Sequence, residues 1–378
     1  MTPANRLRSL DVFRGLTMAG MVIVNNPGDW SHVYPPLLHA QWNGCTPTDL
    51  VFPFFLFIVG VSMTMSRSTM EHPWNIVRRA IVIFGLGMIL ALYPRWDFTV
   101  ARVPGVLQRI AVCYLVGAFL YRRMSPSAES ETADGARMTH GRRLLCWAVG
   151  LSLGYWAVMM FVPPPGGVAG DLSPSGNLGA YIDRTIFGRH LWVQSRTWDP
   201  EGLLSTIPAV ATTLLGAAGG LWLGSNATGL RKVLWMSGTG LAAMAVGLAW
   251  GLAFPLNKSL WTSSYVWFTG GCAAIFLAIC YALIDLRGWR AWGWPFEVLG
   301  LNAIALFVLS GLGTKFLIYH KTTGPDGQPL SWLTYTYRTW FAPLGNPHNT
   351  SLLFALVNLA VLWVVLYVMY RRKIFLKA

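Results

Sequence analysis

Charged side chains are scarce in this chain. Asp, Glu, Lys and Arg make up 12% of its 378 residues, about half the share of an ordinary soluble protein. With 54% hydrophobic residues and a mean hydropathy of +0.47, that shortage excludes a water-soluble globule and points to a chain made mostly of spanning segments. Acidic residues are scarcer still, 15 against 29 basic ones, leaving a formal charge of +14. The basic residues occur as short clusters between apolar runs, such as Arg78-Arg79, Arg122-Arg123, Arg142-Arg143 and Arg371-Arg372-Lys373. No long basic tract interleaved with aromatics occurs, so the charge implies no nucleic-acid partner. There are only five cysteines, an odd number with no CxxC. Neither a disulfide framework nor a metal site is indicated, and no fixed-period repeat is visible.

What is abundant is apolar sequence of membrane-spanning length. Ten segments stand out: Leu10–Asn25, Leu50–Ser66, Ile76–Tyr93, Pro104–Tyr121, Leu144–Val162, Leu203–Gly224, Val233–Phe254, Leu260–Ile284, Phe296–Ile318 and Ser351–Tyr370. Each approaches the ~20 residues a helix needs to cross a bilayer. The expected fold is an all-α, polytopic membrane bundle of about ten transmembrane helices in a single domain. The first segment is the weakest, and basic residues ahead of a short apolar heart also fit a signal peptide. No small-x-small cleavage site follows, so a retained helix is expected.

Ten spans put both termini on one side. Nineteen of the 29 Lys and Arg residues fall on that side, and the positive-inside rule makes it cytoplasmic. The loops 26–49, 163–202 and 319–350 are then extracytoplasmic, and their Gly, Pro, Trp and Asn content fits structured caps. The stretch at 124–141, with "SPSAESETADGA", is expected to be a mobile cytoplasmic loop.

Several polar residues crowd the outer boundary. In "CTPTDLVFPF", Thr46 suits an N-cap, Pro47 the first helical position, and Asp49 the third residue of a capping box. "WDPEGLL" reads the same way: Asp199 caps, Pro200 opens the sixth span, and Glu201 favours the positive end of the helix. Glu201 could equally bind a cationic substrate. His39 has no comparable structural reason for its place. An imidazole accepts a proton near neutral pH, the property of a general base, although a solvated surface histidine is the bland reading. Trp42 and Asn43 lie beside it, and Asn25 and Asn26 bring amides to the same face, where an N–H can stabilise an oxyanion. Cys45, an external thiol, is a weaker candidate nucleophile, with no basic neighbour in sequence. Arg102, Gln108 and Arg109 open the fourth span. Arg109 falls one turn inside, where charges line cavities or snorkel outward. Asn257, Lys258 and Asn302 either line a polar interior or bond helix to helix.

The segments "RLRSLDVFRGLTMAGMVIVNN", "HAQWNGCTPTDLVFPFFLFIVG", "RVPGVLQRIAV", "YIDR", "DPEGLLSTI" and "NKSLWTSSYV" resemble, in order and over nearly the whole chain, the heparan-α-glucosaminide N-acetyltransferase family and its bacterial NagX-like members. The resemblance implies acetyl transfer from cytosolic acetyl-CoA to an amino sugar across the bilayer, without a metal, in the cytoplasmic (inner) membrane of a bacterium. It implies that His39 is the catalytic histidine and Asn25 the asparagine paired with it, with Asn26 as rival. Two departures from the lysosomal enzyme accompany it: no N-terminal luminal domain with its preceding span, and a few more residues between Asn25 and His39. A homodimer is an expectation carried by the resemblance alone.

The expected function is therefore a transmembrane acetyltransferase whose donor enters from the cytoplasmic face and meets the acceptor at His39. The rival from another class is a carrier for an amino sugar or chitin fragment, which leaves the "HAQWNG" motif without a task. Sidedness is directly testable. With cysteines placed singly in an otherwise cysteine-free protein, an impermeant thiol reagent applied to spheroplasts should label the His39 loop and spare position 122. The reverse pattern would overturn the topology.

Overall fold

The computed structural model describes residues 7–66, 72–125, 133–324 and 327–376. Thirteen helices are formed among them: α1 (Arg8–Asn25), α2 (Val51–Met65), α3 (Pro73–Leu92), α4 (Val106–Met124), α5 (Ala133–Phe161), α6 (Leu178–Phe187), α7 (Thr206–Leu223), α8 (Gly229–Trp250), α9 (Ser263–Cys280), α10 (Trp294–Leu301), α11 (Ala303–Tyr319), α12 (Trp332–Thr336) and α13 (Pro347–Arg371). A short hairpin, β1 (Lys321–Thr323) with β2 (Pro329–Ser331), is the one departure from an all-α fold among the described residues.

All ten expected apolar segments are helical. Seven stretches are long and apolar enough to cross a membrane: Pro47–Met65, Pro73–Leu92, Asp134–Phe161, Thr206–Leu223, Gly229–Trp250, Ser263–Leu286 and Pro347–Arg371. The count is eight if α10 and α11, bent by 80°, form one broken span. The protein is thus a helical membrane protein. The two remaining segments, α1 and α4, carry Arg8, Asp11 and Arg14, and Arg109, Arg122 and Arg123, which lower their hydropathy. They are amphipathic, and their buried charges find partners within the bundle: Arg14 Nη2 donates to Ser62 Oγ (2.7 Å) and Nη1 faces Asp11 Oδ1 (3.3 Å).

Three expectations about boundaries are corrected. Helix α5 begins at Ala133, so the second half of the supposed mobile loop is helical. Asp134 sits in its first turn, favoured by the positive helix end, and its carboxylate accepts the Asn226 N–H at 3.2 Å. Residues 126–132 of that loop lie outside the described residues. Helix α7 begins at Thr206, so Asp199 does not cap it. Finally, the ninth apolar segment is broken at Asn302. The amide of this buried residue reaches the C-terminal tail instead, giving Nδ2 to Ile374 O (3.0 Å) and taking Leu376 N–H at Oδ1 (2.9 Å).

Helix α7 is the axis of the bundle, packing on α2, α4, α5 and α9. Its small residues permit this, because van der Waals fit rather than water exclusion drives helix association in lipid. A Cβ on Gly60 of α2 would fall 1.9 Å from Thr213 O, and one on Gly216 of α7 would fall 2.0 Å from Phe57 O. Gly60→Val should therefore lower thermal stability in detergent, by roughly 1–3 kcal/mol for overpacking. Gly85→Ala, where the new Cβ meets nothing within 4 Å, should not. Equal melting temperatures for the two variants would refute the close α2–α7 contact.

Candidate active site

The site begins with the turn that starts α2. Pro47–Leu50 forms a 3-10 turn after Thr46, and Asp49 Oδ2 accepts the Thr46 N–H at 3.0 Å. This is the carboxylate half of the expected capping box. The chain before it doubles back, so the same oxygen accepts Ala40 N–H (3.1 Å), and Asp49 Oδ1 meets His39 Nδ1 at 2.7 Å. Asp49 is buried while His39 is about half exposed. A carboxylate ringed by donors can only accept, so Nδ1 carries the imidazole proton and Nε2 keeps a free lone pair.

A second loop supplies Lys258. Asn257, fully buried, ties this loop together: its Oδ1 accepts Leu260 N–H (2.9 Å) and its Nδ2 donates to Asn43 Oδ1 (3.1 Å). Trp261 completes the turn with φ of 51°, in the left-handed region that bulky residues seldom adopt. Gly44 provides φ of 117° where the His39 loop passes this one, and its N–H bonds Leu256 O at 2.7 Å. Lys258 Nζ thereby lies 3.1 Å from His39 Nδ1, 3.3 Å from Nε2 and 3.7 Å from Asp49 Oδ1. Burial pushes its ammonium below the usual lysine range, against the opposing pull of Asp49.

A third segment closes the site. Trp42 donates Nε1 to Leu172 O (2.9 Å) and packs edge-on against Trp198, ring centroids 5.1 Å apart. Next to Trp198, Arg102 grips Asp199 through Nε (2.9 Å) and Nη2, and pairs with Glu201 through Nη2. Despite burial, these two carboxylates carry the Arg102 guanidinium above its ordinary range. Glu201 is thus an ion-pair partner, near enough to act electrostatically on Lys258. On its other side Arg102 borders a cavity of about 400 Å³ between the adjoining ends of α3, α4 and α11.

Not every expected residue joins the group. Asn26 is buried and serves to pin α1 to α11: Nδ2 donates to Val22 O (2.7 Å) and Ser310 Oγ (3.2 Å), and Oδ1 accepts from Thr314. Asn25 ends α1 with an exposed side chain. Arg109 is buried where α4 meets α7, donating to Gly202 O (3.1 Å) and Ser205 Oγ, with its guanidinium 5.2 Å from the Trp261 ring. Trp261 packs on Tyr265, whose hydroxyl donates to the backbone oxygen of Asp49. Arg109 therefore supports the site from beneath. Cys45 is no ready nucleophile, since burial and the nearby Asp49 charge push its thiol up to about 12.

Sequence reasoning assigned no role to Asp183, although "YIDR" marked it. It is buried under the DPEG turn, accepting Leu203 N–H at 2.9 Å. Burial raises its carboxyl from 3.8 to about 6. Below 3.8 folded and unfolded chains both hold the proton. Between 3.8 and about 6 only the unfolded chain releases it, so stability falls as pH rises, and above about 6 the penalty is complete, about 3 kcal/mol. Asp183→Asn should abolish that fall in melting temperature. Parallel curves for parent and variant would show that Asp183 carries no such penalty.

Residues 6–133 match the family model described as "Heparan-alpha-glucosaminide N-acetyltransferase, catalytic", a stretch holding both His39 and Asp49. The heparan-alpha-glucosaminide N-acetyltransferase of Mus musculus is 32% identical over 426 aligned residues, covering 99% of this chain and 61% of the mouse protein. The Homo sapiens enzyme is 29% identical over 422, covering 98% and 60%. The chain thus spans about 60% of the length of these relatives. The aligned region takes in both the His39 loop and the Lys258 loop, and the chain is similar over nearly its whole length to these heparan-alpha-glucosaminide N-acetyltransferases.

Proposed function

We propose that the protein is a transmembrane acetyltransferase, moving the acetyl group of cytosolic acetyl-CoA to the amino group of a glucosamine-like sugar at the extracytoplasmic side of a bacterial cytoplasmic membrane. The observation that carries this reading is the His39 Nδ1–Asp49 Oδ1 contact of 2.7 Å, set in the loop that the family match includes. Asp49 fixes the tautomer, and Nε2 becomes the general base. In this reading ten helices keep both termini cytoplasmic, and the cytoplasmic Arg clusters contact the coenzyme A phosphates.

The acceptor enters as an ammonium and must lose a proton before its nitrogen can attack a thioester. His39 Nε2 takes that proton. The amine nitrogen then bonds to the acetyl carbon, and the oxyanion calls for an N–H donor, a role that the family resemblance, and not a contact with His39, gives to Asn25. Collapse breaks the carbon–sulfur bond and releases coenzyme A as the thiol. Direct transfer is favoured over an acetyl-histidine intermediate, because one bundle open to both faces brings donor and acceptor together without storing a labile acyl group.

Purified protein given acetyl-CoA and glucosamine should yield acetylated sugar. His39→Ala should still be protected thermally by acetyl-CoA yet lose roughly 10²–10⁴-fold in turnover. Asp49→Asn should lose turnover in the same direction, because the orienting carboxylate is gone. Asn25→Ala should slow turnover with little change in donor affinity. Uptake of unmodified sugar into vesicles, without product, would establish the carrier instead. Near-normal turnover in His39→Ala would remove the histidine from the mechanism.

A further inference from the structure

The place of Lys258 is not explained by charge pairing alone. Its Nζ stands 3.7 Å from Asp49 Oδ1, beyond a hydrogen bond, while the carboxylate is already occupied by His39, Ala40 and Thr46. The closer contacts are to the two imidazole nitrogens, at 3.1 and 3.3 Å. Nδ1 donates its proton to Asp49, so the free partner for a lysine N–H is the Nε2 lone pair. A base must lie roughly 2.6–3.2 Å from the proton donor it serves. At 3.3 Å from Nε2, a little beyond that range, Lys258 holds a primary amine beside the place where an acceptor amine must stand to give its proton to Nε2. The Asn257 hydrogen bonds fix the loop that puts it there.

We propose that Lys258 is itself an acetyl acceptor: when donor is present and amino sugar is not, its Nζ takes the acetyl group and becomes Nε-acetyl-lysine. This rests on the acetyl-transfer reading above. The step balances without a further reactant. The ammonium gives one proton to His39 Nε2, which passes it to solvent. The amine nitrogen forms a bond to the thioester carbonyl carbon, the carbon–sulfur bond breaks, and the second nitrogen proton ends on the thiol of coenzyme A. Burial favours the neutral amine that this needs. The neighbouring thiol competes poorly, since Cys45 is pushed up to about 12. The modified side chain leaves an acetamide against His39 in the acceptor's place, so the reaction inactivates the protein and a bound sugar prevents it.

The test uses the full-length protein in detergent with acetyl-CoA alone. Intact mass should rise by one acetyl group per chain, and peptide mapping should place it on Lys258 as a hydroxylamine-stable amide. Saturating glucosamine should slow the labelling, and His39→Ala should slow it by about a hundredfold or more. Lys258→Arg, with its fold checked by the acetyl-CoA thermal shift, should take no label, because a guanidinium stays protonated. Sugar turnover in the parent protein without any label on Lys258 would overturn the proposal and leave the acetyltransferase reading standing. So would labelling of Lys258 that neither His39→Ala nor glucosamine slows, which is uncatalysed acetylation. A hydroxylamine-labile label on His39 would replace it with an acetyl-histidine enzyme. Failure of both labelling and sugar turnover would overturn the acetyltransferase reading and this proposal together.

Discussion

The carboxylate of Asp49 faces two structures at once. One oxygen holds Thr46 N–H and Ala40 N–H, which fixes the turn into α2; the other holds His39 Nδ1. A buried carboxylate is costly unless its lone pairs are filled, and here the backbone and the imidazole fill them together. The start of a helix and the tautomer of a histidine therefore depend on one group. The orientation of His39 inherits the rigidity of α2, which packs closely along α7, although the histidine itself lies on an exposed loop. Sites held by loops are usually less exact than sites on helices. This loop is an exception because its anchor belongs to the helix.

Below the site, the bundle solves the problem of polar groups in lipid locally. Arg109 gives Nη2 to Gly202 O and Ser205 Oγ while its Nε and Nη1 have no hydrogen-bond partner; Asn26 is spent on Val22 O, Ser310 and Thr314, and Arg14 Nη2 on Ser62. Each bonds one helix or its entry to another, at depths where an unpaired donor is expensive. The aromatic series Trp261–Tyr265, with Tyr265 bonded to the Asp49 carbonyl, carries this interior order up to the outer loops. Polar residues inside the membrane and polar residues at the site thus do different work, though both are marked by the same scarcity of charge along the chain.

The helical segments were legible because twenty apolar residues in a row leave the backbone little alternative to a helix in a bilayer. Asp49 as a cap was legible too, and His39 stood out as a residue with no structural reason that the sequence could supply. Their pairing was not, since nothing in linear spacing tells that an irregular loop returns across ten residues to the same carboxylate. The "DPEG" turn misled for a related reason. Asp199 has the chemistry of an N-cap, but Arg102, nearly a hundred residues earlier, claims its carboxylate, and Asp199 Oδ1 accepts Glu201 N–H within a turn rather than a helix. Asn302 was read as a polar residue within or beside a span. Its amide reaches for the tail, and the helix breaks there.

The site is assembled from segments that contribute different things. The loop before α2 brings His39 and its carboxylate, the loop before α9 brings an amine, and the segment before α7 brings Asp199 and Glu201, which hold Arg102 from the segment before α4. None of these can be moved alone. Asn257 bonds Asn43, Gly44 bonds Leu256, and Trp42 bonds Leu172 while packing edge-on against Trp198, so the His39 loop is fixed by both of the others. The imidazole therefore has its place for a geometric reason: it stands where the loop entering α2 meets the segments entering α7 and α9.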